Sequence, residues 1–184
     1  MTTTAYSTAN AAFSQSAHVA AAAQFYPQMW PGNTLKFYNC TGRDLDLQHG
    51  IDRVAEVSLP DPQARGPVRF YIQERFRRPD CHGFRDITIT EWNLGTDQPS
   101  ELHKLGAQLF VYGFFNEHTR KIEGAIAVDV CRLQSANVTG TLKYTREKRG
   151  AGDQSFIGVQ WDHLHDLGAV MFSTMPPDPL ALFR

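Results

Sequence analysis

Between Ile51 and Thr90 the chain carries three short segments with β-strand character, separated by clusters of proline and glycine. The clearest is Val68 to Arg77. There Val68, Phe70 and Ile72 alternate with Arg69, Tyr71 and Gln73, the two-residue period of a strand with one face buried. Asp86-Ile87-Thr88-Ile89-Thr90 alternates in the same way and is rich in β-branched residues. Ile51 to Val57 repeats apolar positions less strictly and reads as a short strand. Pro60, Pro62 and Gly66-Pro67 form the turn that makes the first two strands a hairpin. Such a patterned run excludes an all-helical chain and demands a partner layer for its apolar face.

The surrounding sequence supplies that layer. Asn10 to Phe25 is rich in alanine and predicts an N-terminal helix, with Asn10 as its cap and the first eight residues as a flexible end. Pro27 and Pro31-Gly32 then break the chain. Ser100 is a good N-cap, and Leu102, Leu105, Leu109 and Tyr112 recur at helical spacing, predicting a helix from Glu101 to about Phe114. Residues 122 to 133 read as a buried strand and Phe156 to Trp161 as another. Pro176, Pro177 and Pro179 leave the C-terminus extended. The expected fold class is α/β: a central mixed sheet flanked by helices. Residues 1–30 would form an N-terminal helical arm and residues 31–184 a single domain with a C-terminal extension.

Composition narrows the function classes. Apolar residues make up 42% and charged residues 20%, values of a folded chain and not of a disordered one. No apolar run is long enough to span a bilayer, and no basic start followed by an apolar core marks a secretory signal. Cys40, Cys81 and Cys131 are far apart and form no CxxC pair. A structural zinc site is therefore not expected, and reduced thiols in the cytoplasm are. Net charge is −1, yet Arg65, Arg69, Arg75, Arg77, Arg78 and Arg85 crowd one third of the chain, and Lys143, Arg146, Lys148 and Arg149 form a second cluster. Local basic patches can follow a phosphate backbone even in a nearly neutral protein, and a solvated basic surface is the plainer reading of either patch alone.

Three groups of residues carry chemistry. Asp52 follows Gly50-Ile51 at a strand, where a small residue lets the chain turn toward a site. Gln73 and Arg75 share one face of the neighbouring strand, with Glu74 on the other. A carboxylate, a second oxygen donor and a fixed cation suit phosphodiester hydrolysis with Mg²⁺ or Mn²⁺, hard cations that take oxygen from protein, water and phosphate. On the predicted helix, Lys104, Gln108 and Tyr112 are four apart and would line one stripe able to bind phosphate. A weaker candidate is Asp162-His163-Leu164-His165-Asp166, whose two histidines would share a face if the segment were a strand.

Taken in order, Gly50-Ile51-Asp52, Gln73-Glu74-Arg75 and Gln108-Leu109-Phe110-Val111-Tyr112 resemble the PD-(D/E)XK, or restriction-endonuclease-like, nucleases. They are most similar to RecB-like members and to those of phages and mobile elements. The resemblance covers Gly50 to Tyr112. It implies a restriction-endonuclease-like core, divalent-metal-dependent hydrolysis of DNA, and Asp52 and Gln73 as metal ligands. It further implies Arg75 as the charge-stabilising cation and Arg77, Arg78, Lys104, Gln108 and Tyr112 as contacts to DNA. It allows a homodimer, since two strands need two sites. Two positions depart from the pattern. Gln73 stands where an acid is usual, removing one negative charge. Arg75 stands where lysine is usual and stays protonated, so it cannot act as a base. A catalytically decayed nuclease fold that serves as a nucleic-acid-binding or assembly module is the alternative.

Overall fold

A computed structural model describes residues 8–61, 65–80, 85–148 and 154–175. Cys81, Arg149, the Gly150 to Asp153 loop and the prolines from Pro176 onward lie outside the described residues. The described strands form two sheets. The larger contains β1 (Thr34–Asn39), β2 (Arg53–Ser58), β3 (Val68–Arg77), β6 (Leu109–Asn116), β7 (Lys121–Asp129) and β10 (Val170–Ser173), in that spatial order. The β3–β6 pair is parallel and all its other neighbours are antiparallel, so the sheet is mixed. The smaller is antiparallel, with spatial order β5 (Gln98–Pro99), β4 (Asp86–Asn93), β9 (Gln154–Gln160), β8 (Thr145–Lys148).

Six helices complete the described chain: α1 (Thr8–Gln24), α2 (Tyr26–Met29), α3 (Asp44–His49), α4 (Glu101–Lys104), α5 (Val130–Val138) and α6 (Trp161–Asp166). One face of the large sheet buries Ala55, Ile72, Leu109, Val111, Ala125 and Ala127 under Ala21 of α1, Tyr26 of α2 and Phe25 between them. The other face buries Phe110, Tyr112, Phe114, Ile126 and Val128 against Ile87, Ile89, Ile157 and Val159 of the small sheet. The fold is α/β, a mixed central sheet flanked by helices on one side and by a second sheet on the other.

One expectation fails here because of burial on two sides. The helix expected from Glu101 to Phe114 is one turn, α4, followed by a strand, β6. Residues 109 to 115 are covered on both faces, so they carry an apolar run with no period of two, and Leu102, Leu105, Leu109 and Tyr112 happen to fall at helical spacing. The aromatic and β-branched content of that run favours the extended form, and parallel pairing to β3 secures it. The segment holding His163 and His165, which as a strand would have put both on one face, is helix α6. His163 Nε2 there accepts the Lys143 N–H at 2.9 Å.

The hairpin β2–β3 forms with Arg53 opposite Ile72 as its last pair, just short of Asp52 and Gln73. Strand β2 starts at Arg53, so beyond Ile72 the β2-side edge of β3 is not covered by a strand. At Gly113, β6 and β7 come close. A Cβ there would stand 2.8 Å from both Ala125 Cβ and Gly124 O, so only glycine fits.

Candidate active site

A cleft of about 620 Å³ opens along that uncovered edge of β3. Asp52, Gln73, Glu74 and Arg75 line it from the sheet, and Ser14 and His18 line it from α1. Its position follows from the local chain. Helix α3 ends at Gly50 in the left-handed conformation, φ 57°, which turns the backbone back into the sheet. Asp52 N–H then donates to Ile72 O at 3.0 Å, and Cys40 N–H donates to Asp52 O at 2.7 Å, fixing Asp52 at the head of β2.

Asp52 is nearly buried. Its Oδ2 accepts the Glu74 N–H at 2.9 Å, leaving Oδ1 as the oxygen a ligand can use. Burial lifts its pKa to about 7, against the opposing pull of the Glu74 amide and the His18 ring. Gln73 donates from Nε2 to Glu101 Oε1 at 3.1 Å, which turns its Oε1 away from Glu101. That oxygen is buried without a hydrogen-bond partner. A Cβ on Gly50 would stand 3.4 Å from it, and glycine leaves that space open.

Gln73, Arg75 and Arg77 share the face toward the small sheet, while Glu74 and Phe76 face α1. Arg75 is not free in the cleft. Its guanidinium donates to Glu101 Oε2 at 2.5 Å, to Thr88 O at 3.0 Å and to Thr90 Oγ1 at 3.3 Å. Arg77 donates to Thr88 Oγ1 at 2.6 Å and to Asp86 at 3.3 Å, and lies over the Tyr112 ring. Arg78 is more exposed. It pairs with Glu117 at 3.2 Å and covers the Phe13 ring.

The stripe of Lys104, Gln108 and Tyr112 does not form, because these residues no longer share a helix. Tyr112 is fully buried, its hydroxyl 3.1 Å from Thr88 Oγ1, and cannot reach a nucleic acid. Burial pushes its pKa up to about 12. Gln108 is exposed, and its Oε1 accepts the Tyr71 N–H at 3.0 Å. Lys104 is exposed at the end of α4. In the second basic cluster, Arg146 is held by a two-pronged pair with Glu91 at 2.6 and 2.8 Å.

Sequence reasoning passed over five residues in and around the cleft. Glu74, completely buried, is bonded by His18 Nδ1, Tyr26 Oη and Arg53 Nε, the last at 3.1 Å. Burial alone would raise the Glu74 pKa, but the His18 hydrogen bond and the Arg53 charge bring it below the usual carboxylate range, so it is ionised. Tyr26, buried against that charge, has its pKa raised well above the usual phenol value. Glu101 is the fifth, joining Gln73, Arg75 and the Thr90 amide. The available signal was charge in an apolar context: a lone histidine on an alanine-rich helix, and a glutamate on the apolar face of β3.

Among the described residues no three His, Cys, Asp or Glu side chains form a metal cluster. The oxygen donors that could hold a hard divalent cation are Asp52 and Gln73, which both line the cleft.

No family model matches the chain, and no curated protein does. A solved structure with which the chain aligns is D212, a nuclease from a fusselovirus. It shares 8% identity at a TM-score of 0.37, over 89% of this chain and 87% of that one. A likeness that loose bears on no residue here. Among the described residues no helix is long and apolar enough to cross a membrane.

Proposed function

We propose that the protein is a divalent-metal-dependent deoxyribonuclease working at the Asp52–Gln73 end of the cleft. The observation that carries this reading is the placing of those two residues. Both line the cleft just past the end of the β2–β3 ladder, and Gln73 Oε1 is buried with no partner of its own. An orphaned buried oxygen costs roughly 1–3 kcal/mol, and such a cost persists in proteins where a ligand relieves it. Asp52 and Gln73 would hold Mg²⁺ or Mn²⁺, which supplies charge to the scissile phosphate and acidity to water. Asp52 and Gln73 orient the cation's side of the site. Arg75, fixed by Glu101 and Thr88, is a rigid positive wall beside it. Of the expected DNA contacts, Arg78 and Lys104 are the exposed cations available to a DNA backbone.

One feature favours the second reading, a nuclease fold decayed into a nucleic-acid-binding or assembly module. The charge of Arg75 is already answered by Glu101, which leaves it less to offer a transition state. Manganese binding followed by electron paramagnetic resonance separates the two readings. The nuclease reading requires weak Mn²⁺ binding that Asp52→Asn abolishes and Gln73→Glu tightens. Identical Mn²⁺ spectra for the three proteins leave the binding module in its place.

A further inference from the structure

The small sheet covers only part of the large one. The apolar core between them takes residues from β6 and β7, and among the described residues none from β1, β2 or β3. Strand register lays a row of three side chains across the open part of that face: Tyr38 pairs with Val54, and Val54 with Tyr71. The two tyrosines stand two strands apart, about 10 Å. Tyr38 is 49% exposed and Tyr71 36%, with Val54 half-buried between them. The next row on this face is Lys36, Glu56 and Arg69. We infer that this open face of β1–β2–β3 is a stacking platform for single-stranded DNA, which it leads to the Asp52–Gln73 end of the cleft. The inference rests on the nuclease reading for its destination and names the form of the substrate.

A lone exposed aromatic is ordinary. Two tyrosines flanking a valine make a contiguous apolar strip with a charged border, which is the form of an interaction site. Both residues are held in place. Tyr38 Oη donates to Glu56 Oε2 at 2.9 Å, and Glu56 Oε1 accepts from Arg69 Nε at 2.9 Å. Tyr71 is pinned through its backbone. Its N–H donates to Gln108 Oε1 at 3.0 Å, and its carbonyl accepts the Gln108 N–H at 2.8 Å. Gln108, expected from the sequence to touch DNA, instead positions a ring that does.

Charge favours nucleic acid over protein as the occupant. Lys36 and Arg69 border the strip, and the acid between them, Glu56, is already bonded to Tyr38 and Arg69. The charge left outward is positive and suits phosphate. The rings decide the form of the nucleic acid. A duplex keeps its base faces stacked on one another, whereas an unpaired base offers a free face to an aromatic side chain. Asp52 and Gln73 lie two residues along the chain from Val54 and Tyr71, and Gln73 is on the same face as Tyr71. An unpaired strand on the platform therefore reaches the proposed metal site without leaving the sheet. Negative supercoiling opens such stretches in a plasmid.

The test is binding of a labelled oligothymidylate of about 20 nucleotides, and of a duplex of the same length, followed by fluorescence anisotropy in EDTA. Wild type should bind the single strand more tightly than the duplex. Tyr38→Leu and Tyr71→Leu keep apolar bulk and lose the ring. Each should weaken single-strand binding about 5- to 100-fold and leave duplex binding unchanged, while Tyr38→Phe and Tyr71→Phe should keep most of it. All four side chains suit an exposed strand position, and thermal melts check that each variant folds. Leucine variants that bind the oligonucleotide as wild type does, or a wild type that prefers duplex, overturn the platform. No binding to either DNA at low salt overturns it in favour of a protein partner, and a wild-type dimer that the leucine variants dissolve overturns it in favour of a second copy. Cleavage in Mn²⁺ beside unchanged affinity in the leucine variants removes the platform and keeps the nuclease reading. Ring-dependent binding with no cleavage in Mn²⁺ keeps the platform and removes that reading.

Discussion

Replacing Asp52 by asparagine should make the protein more stable at neutral pH, and the gain should depend on pH in a defined way. Asp52 is nearly buried and its pKa stands at about 7, against 3.8 for the free side chain. Between those values the folded state holds a proton that the unfolded state has lost, so stability falls as pH rises through the window and is flat below it. The difference of about 3 pKa units amounts to about 4 kcal/mol above pH 7, an upper figure because burial relaxes around a charge. At pH 5 only a minor part of it has accrued. Asparagine never ionises and can still accept the Glu74 N–H through its Oδ1. Urea unfolding of wild type and Asp52→Asn at pH 5 and pH 8 reads the effect directly. The variant should lead by ~1–2 kcal/mol at pH 5 and by ~3–4 kcal/mol at pH 8. Adding Mn²⁺ at ten times its Kd should return about 1.4 kcal/mol to the wild type and nothing to the variant. A lead that is absent, or the same at both pH values, refutes the burial argument. A lead that Mn²⁺ does not narrow refutes the role of Asp52 as a ligand.

Three further outcomes are expected. Gly113→Ala should destabilise the protein by ~1–3 kcal/mol in thermal or urea melts, because a methyl group meets Ala125 and the Gly124 carbonyl at 2.8 Å. Tyr112→Phe should cost about 1 kcal/mol of stability through the lost Thr88 contact and leave DNA affinity unchanged; weaker binding by a well-folded variant would put Tyr112 back at the interface. DNA binding measured against salt should have a slope of about −0.9 per phosphate neutralised. Arg78→Ala and Lys104→Ala should each flatten it by about one phosphate, whereas Arg77→Ala should mainly lower stability.

What could be read from the sequence and what could not divide along local and long-range causes. Strand β3 shows its period of two because one partly exposed face alternates with a buried one, and α1 shows itself through alanine. The placement of Asp52 and Gln73 at one end of the β2–β3 ladder follows from a hairpin, which is also local. Strand β6 was hidden because two layers cover it, and burial on both faces erases the period that would have marked it. That error carried Lys104, Gln108 and Tyr112 onto a helix face that does not exist. The short β1 and α3, between Asn33 and Gly50, have no clear period of their own. The second sheet joins β4 to β9 across more than sixty positions of sequence, and no local pattern announces such a partner. The pairing of Arg75 with Glu101, and of Glu74 with His18, Tyr26 and Arg53, arises from packing between distant elements in the same way.

The central claim is hydrolysis at Asp52 with a divalent cation, and plasmid nicking tests it most directly. Wild-type protein is incubated with supercoiled DNA in Mn²⁺, in Mg²⁺ and in EDTA, beside Asp52→Asn at the same concentration. Nicking by the wild type in metal, none in EDTA and none by Asp52→Asn is the predicted result, with Mn²⁺ ahead of Mg²⁺ because an amide oxygen has replaced an acid. Nicking by Asp52→Asn at the wild-type rate, or nicking that persists in EDTA, would contradict it.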